Sequence, residues 1–581
     1  GGGGWGMAPA DVWSYLCGLA LHGLDELVLH QAQYQLTPLS LHDWPPSTPF
    51  HEPYAGCLPT VFDQLKKAFA DLPVNRAAHP VLVIAPYRGL MARLRPAERA
   101  EMDIHKASYY ADSPAGALNT DFLRLLRKLD AALIGYDVIS ERDFALYTRL
   151  EQGLQVGRCA YQALIVAEGS MLGEAGDALL QSAVAGKINV IDMRNTDQLD
   201  CVRLASALAL PLQAAEHPLP ASVLAEVYED GADCRLVIIN NDPAQLAMPV
   251  FTVTGGRYLE GAERTDSGQQ LTLLPGEVRI ARLLTQPSPS LSSDSASWDY
   301  QVSVNDPNVL LLDQLQLTGL TAKTSITVDE KMAGISLVSL VPLAGIRLNG
   351  KTVPAEAQGA FRYPEMLSYL LPTLPAGDNQ LEFTLAAPWQ DPAPLRCWLT
   401  GDFHVMSTAP WETGPRRTLR ANGPFRLSTP NKSVDGSHLV ENGYPFYTGQ
   451  ITYSGAVTIG HSGRALTIRL GDVSAAAAHV FWDGEDLGWV WGPRWEASLA
   501  RQLTAGTHTL TVELFTTSFN LFGPHHHVLG DPPLVTTSHY TGQRDFAQPP
   551  EAPVLIVPAT HAQPIGLGRT VSITWEDSDV D

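Results

Sequence analysis

Near Leu208 the chain stops writing helices and begins to write strands and turns. Before that point, four short apolar runs alternate with helical spacing: Val81-Leu-Val-Ile84, Tyr136-Asp-Val-Ile139, Ala163-Leu-Ile-Val166 and Ile188-Asn-Val-Ile191. Leu118, Phe122, Leu125, Leu126, Leu129, Ala132 and Leu133 fall on one helical face, and Gly173 to Ala185 is again helix-like. Short buried strands separated by amphipathic helices predict a doubly wound parallel-sheet α/β domain over 75–205. After it, Asp-Pro, Gly-Gly and Pro-Gly turns punctuate the runs beginning at Arg235, Phe251, Gln270 and Val278. That is the pattern of a small antiparallel β domain over 206–285, and the polar, low-complexity stretch 286–297 reads as a linker.

Two further units share an internal pattern. Leu348-Asn349-Gly350-Lys351 is followed by Pro375-Ala376-Gly377 and an alternating run to Leu385; Trp482-Asp483-Gly484-Glu485 is followed by Thr504-Ala505-Gly506 and a run to Leu514. Asn-Gly and Asp-Gly supply the positive φ angles of tight hairpins, so antiparallel β-sandwiches are expected over 298–405 and 406–530. In the tail, 550–581, the runs from Val554 and Thr570 read as the opening strands of a fibronectin-like or cadherin-like module cut off after its second strand.

The first 72 residues place Trp13, Leu16, Cys17, Leu19 and Ala20 at helical spacing, then a turn, then the apolar run Leu27-Val28-Leu29. A helix feeding a strand buried on both faces is one unit of an α/β barrel, so 1–72 is expected to be the C-terminal end of a (β/α)8 barrel, with Leu58 to Phe69 returning as an amphipathic helix. Reacting groups in such barrels stand where strands end. His30 and Tyr34 occupy that place, Asp43 and Glu52 follow on the next loop, and Trp5 and Trp44 offer aromatic faces. Each has a plainer account: a histidine bonded to a backbone carbonyl, carboxylates that steady a loop, aromatics that pack among glycines and prolines.

Composition narrows the partners. A net charge of -22 opposes sequence-independent binding to nucleic acid and adsorption to anionic membranes, while neutral sugars stay compatible. No run of 18 or more apolar residues is present, so no membrane span is expected. The six cysteines are dispersed without paired spacing, against a disulfide scaffold or a zinc knuckle. His525-His526-His527 lacks metal-ligand spacing, because neighbouring strand residues point to opposite faces. No metal or cofactor is expected, and no motif supports a structural calcium. Ser170, in Glu168-Gly-Ser-Met-Leu-Gly173, lacks the Gly-x-Ser-x-Gly pattern and reads as a helix cap. Trp482, Trp489, Trp491 and Trp495 form either a sugar platform or a packing face against a neighbouring domain, the latter preferred.

Gly3-Gly4-Trp5-Gly6, Leu27-Val-Leu-His30-Gln-Ala-Gln-Tyr34, His42-Asp43-Trp44-Pro-Pro-Ser47 and Phe50-His-Glu-Pro-Tyr54 resemble the closing segment of the catalytic barrel in large bacterial glycoside hydrolases related to family 106. That group includes α-L-rhamnosidases with β-galactosidase-like architecture. Gly443-Tyr-Pro-Phe-Tyr-Thr-Gly449-Gln-Ile-Thr-Tyr453 and Asn520-Leu-Phe-Gly-Pro-His525-His526-His527 resemble two of its recurrent stretches, the parallel domain resembles its amidotransferase-like domain, and the sandwiches resemble its galactose-binding-like jelly rolls. The resemblance implies cleavage of terminal rhamnoside- or galactoside-like sugars, with His30, Tyr34, Asp43, Trp5, Trp44 and Glu52 as substrate contacts. It also implies a periplasmic or extracellular setting. The parallel domain is then an interface or self-association element. The family's catalytic glutamates would precede Gly1, so the true N-terminus is expected to be missing and the chain by itself inactive. The competing reading is a non-catalytic carbohydrate-binding or cell-surface structural assembly.

Overall fold

The computed structural model describes residues 4–22, 24, 26–29, 35–42, 50–70, 79–95, 113–195, 199–208, 210–215, 218–230, 233–242, 244–288, 291–312, 314–391, 393–430, 434–460, 462–543 and 555–576. The N-terminal segment is helical: α1 (Pro9–Leu21), α2 (Pro38–His42) and α3 (Leu58–Ala70), the last entered through a 3-10 turn at Pro53–Cys57. Asp11 fixes the start of α1 by accepting the Ala8 N–H at 2.8 Å. Cys17 and Leu21 of α1 pack on Tyr228, Val237 and Ile239, while Ala8 joins Tyr54, Cys57, Leu58, Val61 and the Ala476-Ala477 pair. Trp13 lies against both groups, so the apolar stripe of α1 is wedged between two β domains.

The expected barrel is therefore absent from the described part of 1–72. No strand forms there, and Leu27–Leu29 is an unpaired stretch with Val28 92% exposed. Three apolar residues make a buried parallel strand only when strands flank them. Here the helix that was to cover a barrel sheet covers Val237 and Ile239 of an antiparallel one instead.

The four apolar runs of 75–205 do make one parallel sheet. β1 (Val81–Ala85), β2 (Tyr136–Ser140), β3 (Ala163–Val166) and β4 (Asn189–Asp192) lie in the order 2-1-3-4. The helices α4 (Tyr87–Arg93), α5 (Pro114–Asp130), α6 (Glu141–Tyr147), α7 (Gly173–Ala185) and α8 (Cys201–Leu208) accompany it. Val81, Val83 and Ile165 pack on Leu125, Leu129, Leu204 and Leu208 of α5 and α8. Leu82, Ile84, Leu164 and Val166 pack on Phe144 and Leu180 of α6 and α7. Both faces are thus covered, which is why these strands are apolar without alternation.

Two four-stranded antiparallel sheets follow, one of them containing β5 (Val223–Asp230), β6 (Asp233–Asn240) and β7 (Val278–Leu284), closed over Leu236, Ile238, Phe251, Leu271 and Leu273. His79, just before β1, spans to this domain: its ring nitrogens lie 2.8 Å from Asp137 and 2.8 Å from Glu226.

Most of the stretch read as a linker, from Leu291 to Ser297, is strand. β8 (Leu291–Val304) runs through an eight-stranded sheet with β9 (Gln450–Ile459), β10 (Gly463–Leu470), β11 (Ala477–Trp482), β12 (Glu485–Val490), β13 (Glu496–Leu503), β14 (Gly506–Phe515) and β15 (Thr570–Glu576), in the order 12-11-14-9-8-15-10-13. Trp298–Val304 pair with β9, and Leu291–Ser297 pair with β15. The tail is accordingly not the start of a separate module: β15 lies between β8 and β10 and buries Val571, Ile573 and Trp575 in this sandwich. The misreading has a physical cause. Serines alternating with Asp294, Ala296 and Trp298 look like a linker in a window that excludes their partners, yet Ser292, Ser293 and Ser295 face solvent on a paired strand. The other sandwich, with strands from Asn308–Leu312 to Phe425–Ser428, is inserted between β8 and β9, so the expected division at 405 falls inside it.

The internal repeat is visible as geometry. Asn349 and Gly350 have φ of 51° and 77°, Asp483 and Gly484 51° and 82°. In each unit the turn residue's side chain accepts the N–H of the later strand: Gln380 to Asn349 Oδ1 at 2.8 Å, Thr509 to Asp483 Oδ1 at 2.7 Å.

Candidate functional site

The stretches that carry the family resemblance are far apart in the chain, and four of them meet at one junction. Trp5 is fully enclosed, its Nε1 donating to the Leu41 carbonyl at 2.6 Å and its ring 4.8 Å from that of Phe522. Phe446 lies 5.7 Å from His525, edge to face. Next to Trp5, Gly6 passes over Asp531 so closely that a Cβ there would stand 2.6 Å from the carboxyl carbon. Gln563 Nε2 ties the two together, donating to Gly6 O at 3.1 Å and to Asp531 Oδ2 at 3.0 Å. Arg417 donates to both oxygens of Asp11, at 3.1 and 3.2 Å, and comes within 3.5 Å of Asp531. Beneath them Tyr54 donates to Met7 O at 2.5 Å, and Glu52 accepts the Ser518 N–H at 2.7 Å. A cavity of about 260 Å³ opens here between the N-terminal segment and the sandwich of β8 to β15, lined on its polar side by Arg417, Ser474, Thr516, Thr517, Asn520 and Gln563.

The electrostatics follow from enclosure. Burial pushes Glu52 well above the carboxylate range, against the Ser518 hydrogen bond and aided by the neighbouring charge of Asp531. Burial likewise carries Asp531 from its ordinary 3.8 up to about 6, with Arg417 opposing. A little further along the chain, His527 is lowered from 6.5 to about 4 by burial and by His539 and His561. The signs are opposite. Asp531 has a raised folded pKa, so its contribution is present below 3.8 and lost as pH rises through 6. His527 has a lowered one, so its contribution is present above 6.5 and lost as pH falls through 4. Melting curves across this range should show Asp531→Asn gaining on the wild type as pH rises and His527→Gln gaining as pH falls, each by roughly 1–3 kcal/mol. Parallel curves for either variant would mean that the group does not titrate within the fold.

Of the residues expected at the site, His30, Tyr34, Asp43 and Trp44 lie outside the described residues. Trp5 and Glu52 are described, and the structure corrects both: neither can touch a sugar from inside the core, where they are 0% and 4% exposed. Trp482 is buried in its own sandwich, and Trp489 and Trp491 pack with Trp13 and Phe62 of the N-terminal helices. The triple histidine is spent on backbone: His525 lies 3.0 Å from Asn520 O, His526 3.0 Å from Ala559 O, and His527 Nδ1 accepts the Leu529 N–H at 3.2 Å. Among the described residues no group of three or more His, Cys, Asp or Glu is placed to hold a metal ion. Sequence reasoning passed over Asp531, Arg417 and Gln563. Gly530-Asp531-Pro532 looks like any turn, and nothing local marks its carboxylate as enclosed.

Chemically, the cavity offers amide, hydroxyl and guanidinium groups to a small hydroxylated molecule. Glu52 and Asp531 are shut away from it. No protein-family model matches the chain, and no curated protein matches it. Among solved structures, a rhamnosidase from Novosphingobium sp. PP1Y aligns with 98% of this chain and 46% of its own, at 14% identity and a TM-score of 0.44. An α-xylosidase from Xanthomonas citri aligns over 61% of this chain and 33% of its own, at 12% identity and a TM-score of 0.11. A β-glucuronidase from Bacteroides uniformis aligns over 38% of this chain and 28% of its own, at 15% identity and 0.11. This chain thus spans less than half the length of the rhamnosidase, and at these scores the likenesses fix neither residues nor reaction.

Proposed function

We propose that this chain serves a glycoside hydrolase that removes terminal rhamnoside- or galactoside-like sugars outside the cytoplasm, and that its role there is to grip a segment of the catalytic unit. The observation that carries this reading is the junction itself: Trp5-Gly6, Gly443–Gly449 and Asn520–His527 resemble one enzyme group as sequences and are packed against one another as structure. Helices α1 and α3 touch the small β domain and the second sandwich, and Trp5, Leu36 and Leu41 enter the core of the first.

A glycosidase places an acid and a base on opposite sides of the scissile bond. Of the described acids of the junction, Glu52 and Asp531 are enclosed and Asp11 is held by Arg417 and the Ala8 N–H, so the chain alone is expected not to turn over aryl α-L-rhamnosides or galactosides. Losing one such group costs several kcal/mol of transition-state stabilisation, about 10³-fold or more in rate. Assaying the purified chain beside the full-length protein tests this. Turnover by the chain alone refutes the non-catalytic role, and no turnover by the full-length protein on any glycoside leaves the carbohydrate-binding alternative.

A further inference from the structure

The parallel sheet reverses its winding between β1 and β3, and ligands of open α/β sheets bind at the C-terminal ends of such strands. In this chain that crevice already holds a carboxylate. β2 ends at Ser140, whose Oγ accepts the Asp143 N–H at 3.1 Å and starts α6, so that Glu141 is the first helical residue. Its side chain is completely enclosed. The Arg88 N–H, in the first turn of α4 after β1, donates to its two oxygens at 3.1 and 3.0 Å, and the Met171 N–H, from the turn after β3, donates at 3.2 Å.

The backbone is shaped for this convergence. Gly169 has a φ of 75°, and a Cβ on Gly89 would collide with the Gly169 carbonyl, so α4 and the turn after β3 approach as closely as they do only with glycine at both places. Ser170 stands immediately before Met171, nearly buried, with Oγ 3.4 Å from Ile84 O. One N–H from the residue after a serine at a strand-to-helix turn, joined by a second from the chain that follows a neighbouring strand, here the start of α4, is similar to the arrangement that receives an oxyanion in acyl-transfer sites. The sequence pattern around Ser170 misses the usual spacing, and among the described residues no imidazole or carboxylate is bonded to its hydroxyl.

We propose that Glu141 is a built-in ligand, its carboxylate occupying an oxyanion-hole-like pair of amides beside Ser170 and closing the parallel-sheet domain to external carboxylates. The site is independent of the carbohydrate reading. A small carboxylate is the class of molecule that fits the two amides once Glu141 is shortened, because it restores the same charge-assisted bonds.

The test uses the whole chain with Glu141→Ala and Glu141→Leu, followed by hydrogen exchange in peptides covering 86–93 and 167–173. In Glu141→Ala, exchange at Arg88 and Met171 is expected to accelerate by roughly tenfold or more, since both amides lose their acceptor. Formate at tens of millimolar should restore protection there, chloride at equal ionic strength should not, and the wild type should respond to neither. Formate acting equally on wild type and variant, or unaltered exchange in the variant, overturns the proposal. Should Glu141→Ala fail to fold, Glu141→Leu decides: it fills the space but offers no acceptor to either amide, so exchange should still accelerate, and wild-type protection would show that the carboxylate is not the ligand.

Discussion

Ending the chain before Thr560 should unfold the β8–β15 sandwich. β15 is an interior strand of the eight-stranded sheet, paired on one side with Leu291–Ser297 and on the other with Ala465–Leu470. Removing it strips Val571, Ile573 and Trp575 from the core and leaves two facing rows of backbone groups without partners. At roughly 1.5–3 kcal/mol for each buried aliphatic side chain and about 3–5 for the tryptophan, the loss is on the order of 6–11 kcal/mol. That equals the whole stability of an ordinary domain. Circular dichroism melts of a chain ending at Pro558 would check it. A cooperative transition like that of the intact chain would restore the reading of the tail as a separate module.

The same strand shows what could and could not be read in advance. Local signals were legible wherever one residue type forces one geometry. Asn349-Gly350 and Asp483-Gly484 gave positive φ, the four apolar runs gave the parallel sheet, and the helical face from Leu118 to Leu129 gave α5. Pairing between distant segments was not legible. Thr570–Glu576 alternates like any strand, and nothing within those residues says that Leu291–Ser297, some 280 positions away in the sequence, supplies the partner. The site was misjudged for a related reason. An aromatic residue between glycines and a glutamate before a proline suit a substrate loop and a buried joint equally well, and only long-range contacts from Leu41, Phe522 and Ser518 decide for Trp5 and Glu52.

Trp5→Ala is expected to be the most damaging single substitution in the N-terminal segment. The indole is fully enclosed in the core of the first sandwich beside Leu36, Leu41, Leu521 and Phe522, and its Nε1 holds the Leu41 carbonyl, which Tyr540 also reaches at 3.2 Å. Truncation removes the largest side chain of the joint, leaves a cavity and cuts one of those two bonds, a cost of roughly 3–5 kcal/mol. The neighbouring clamp cannot absorb it. Gly6 is fixed over Asp531 by Gln563, so the backbone has no room to settle into the space. Limited proteolysis should then cut between α1 and α2 while the sandwich cores persist, and Phe50→Ala, at a residue 73% exposed, should leave the pattern unchanged. Kinetics in the full-length protein separate this role from the sugar-stacking one. A stacking face would raise KM for substrate without altering protease sensitivity, whereas a joint would lose stability first, and Trp5→Phe would recover most of it by refilling the cavity with an apolar ring.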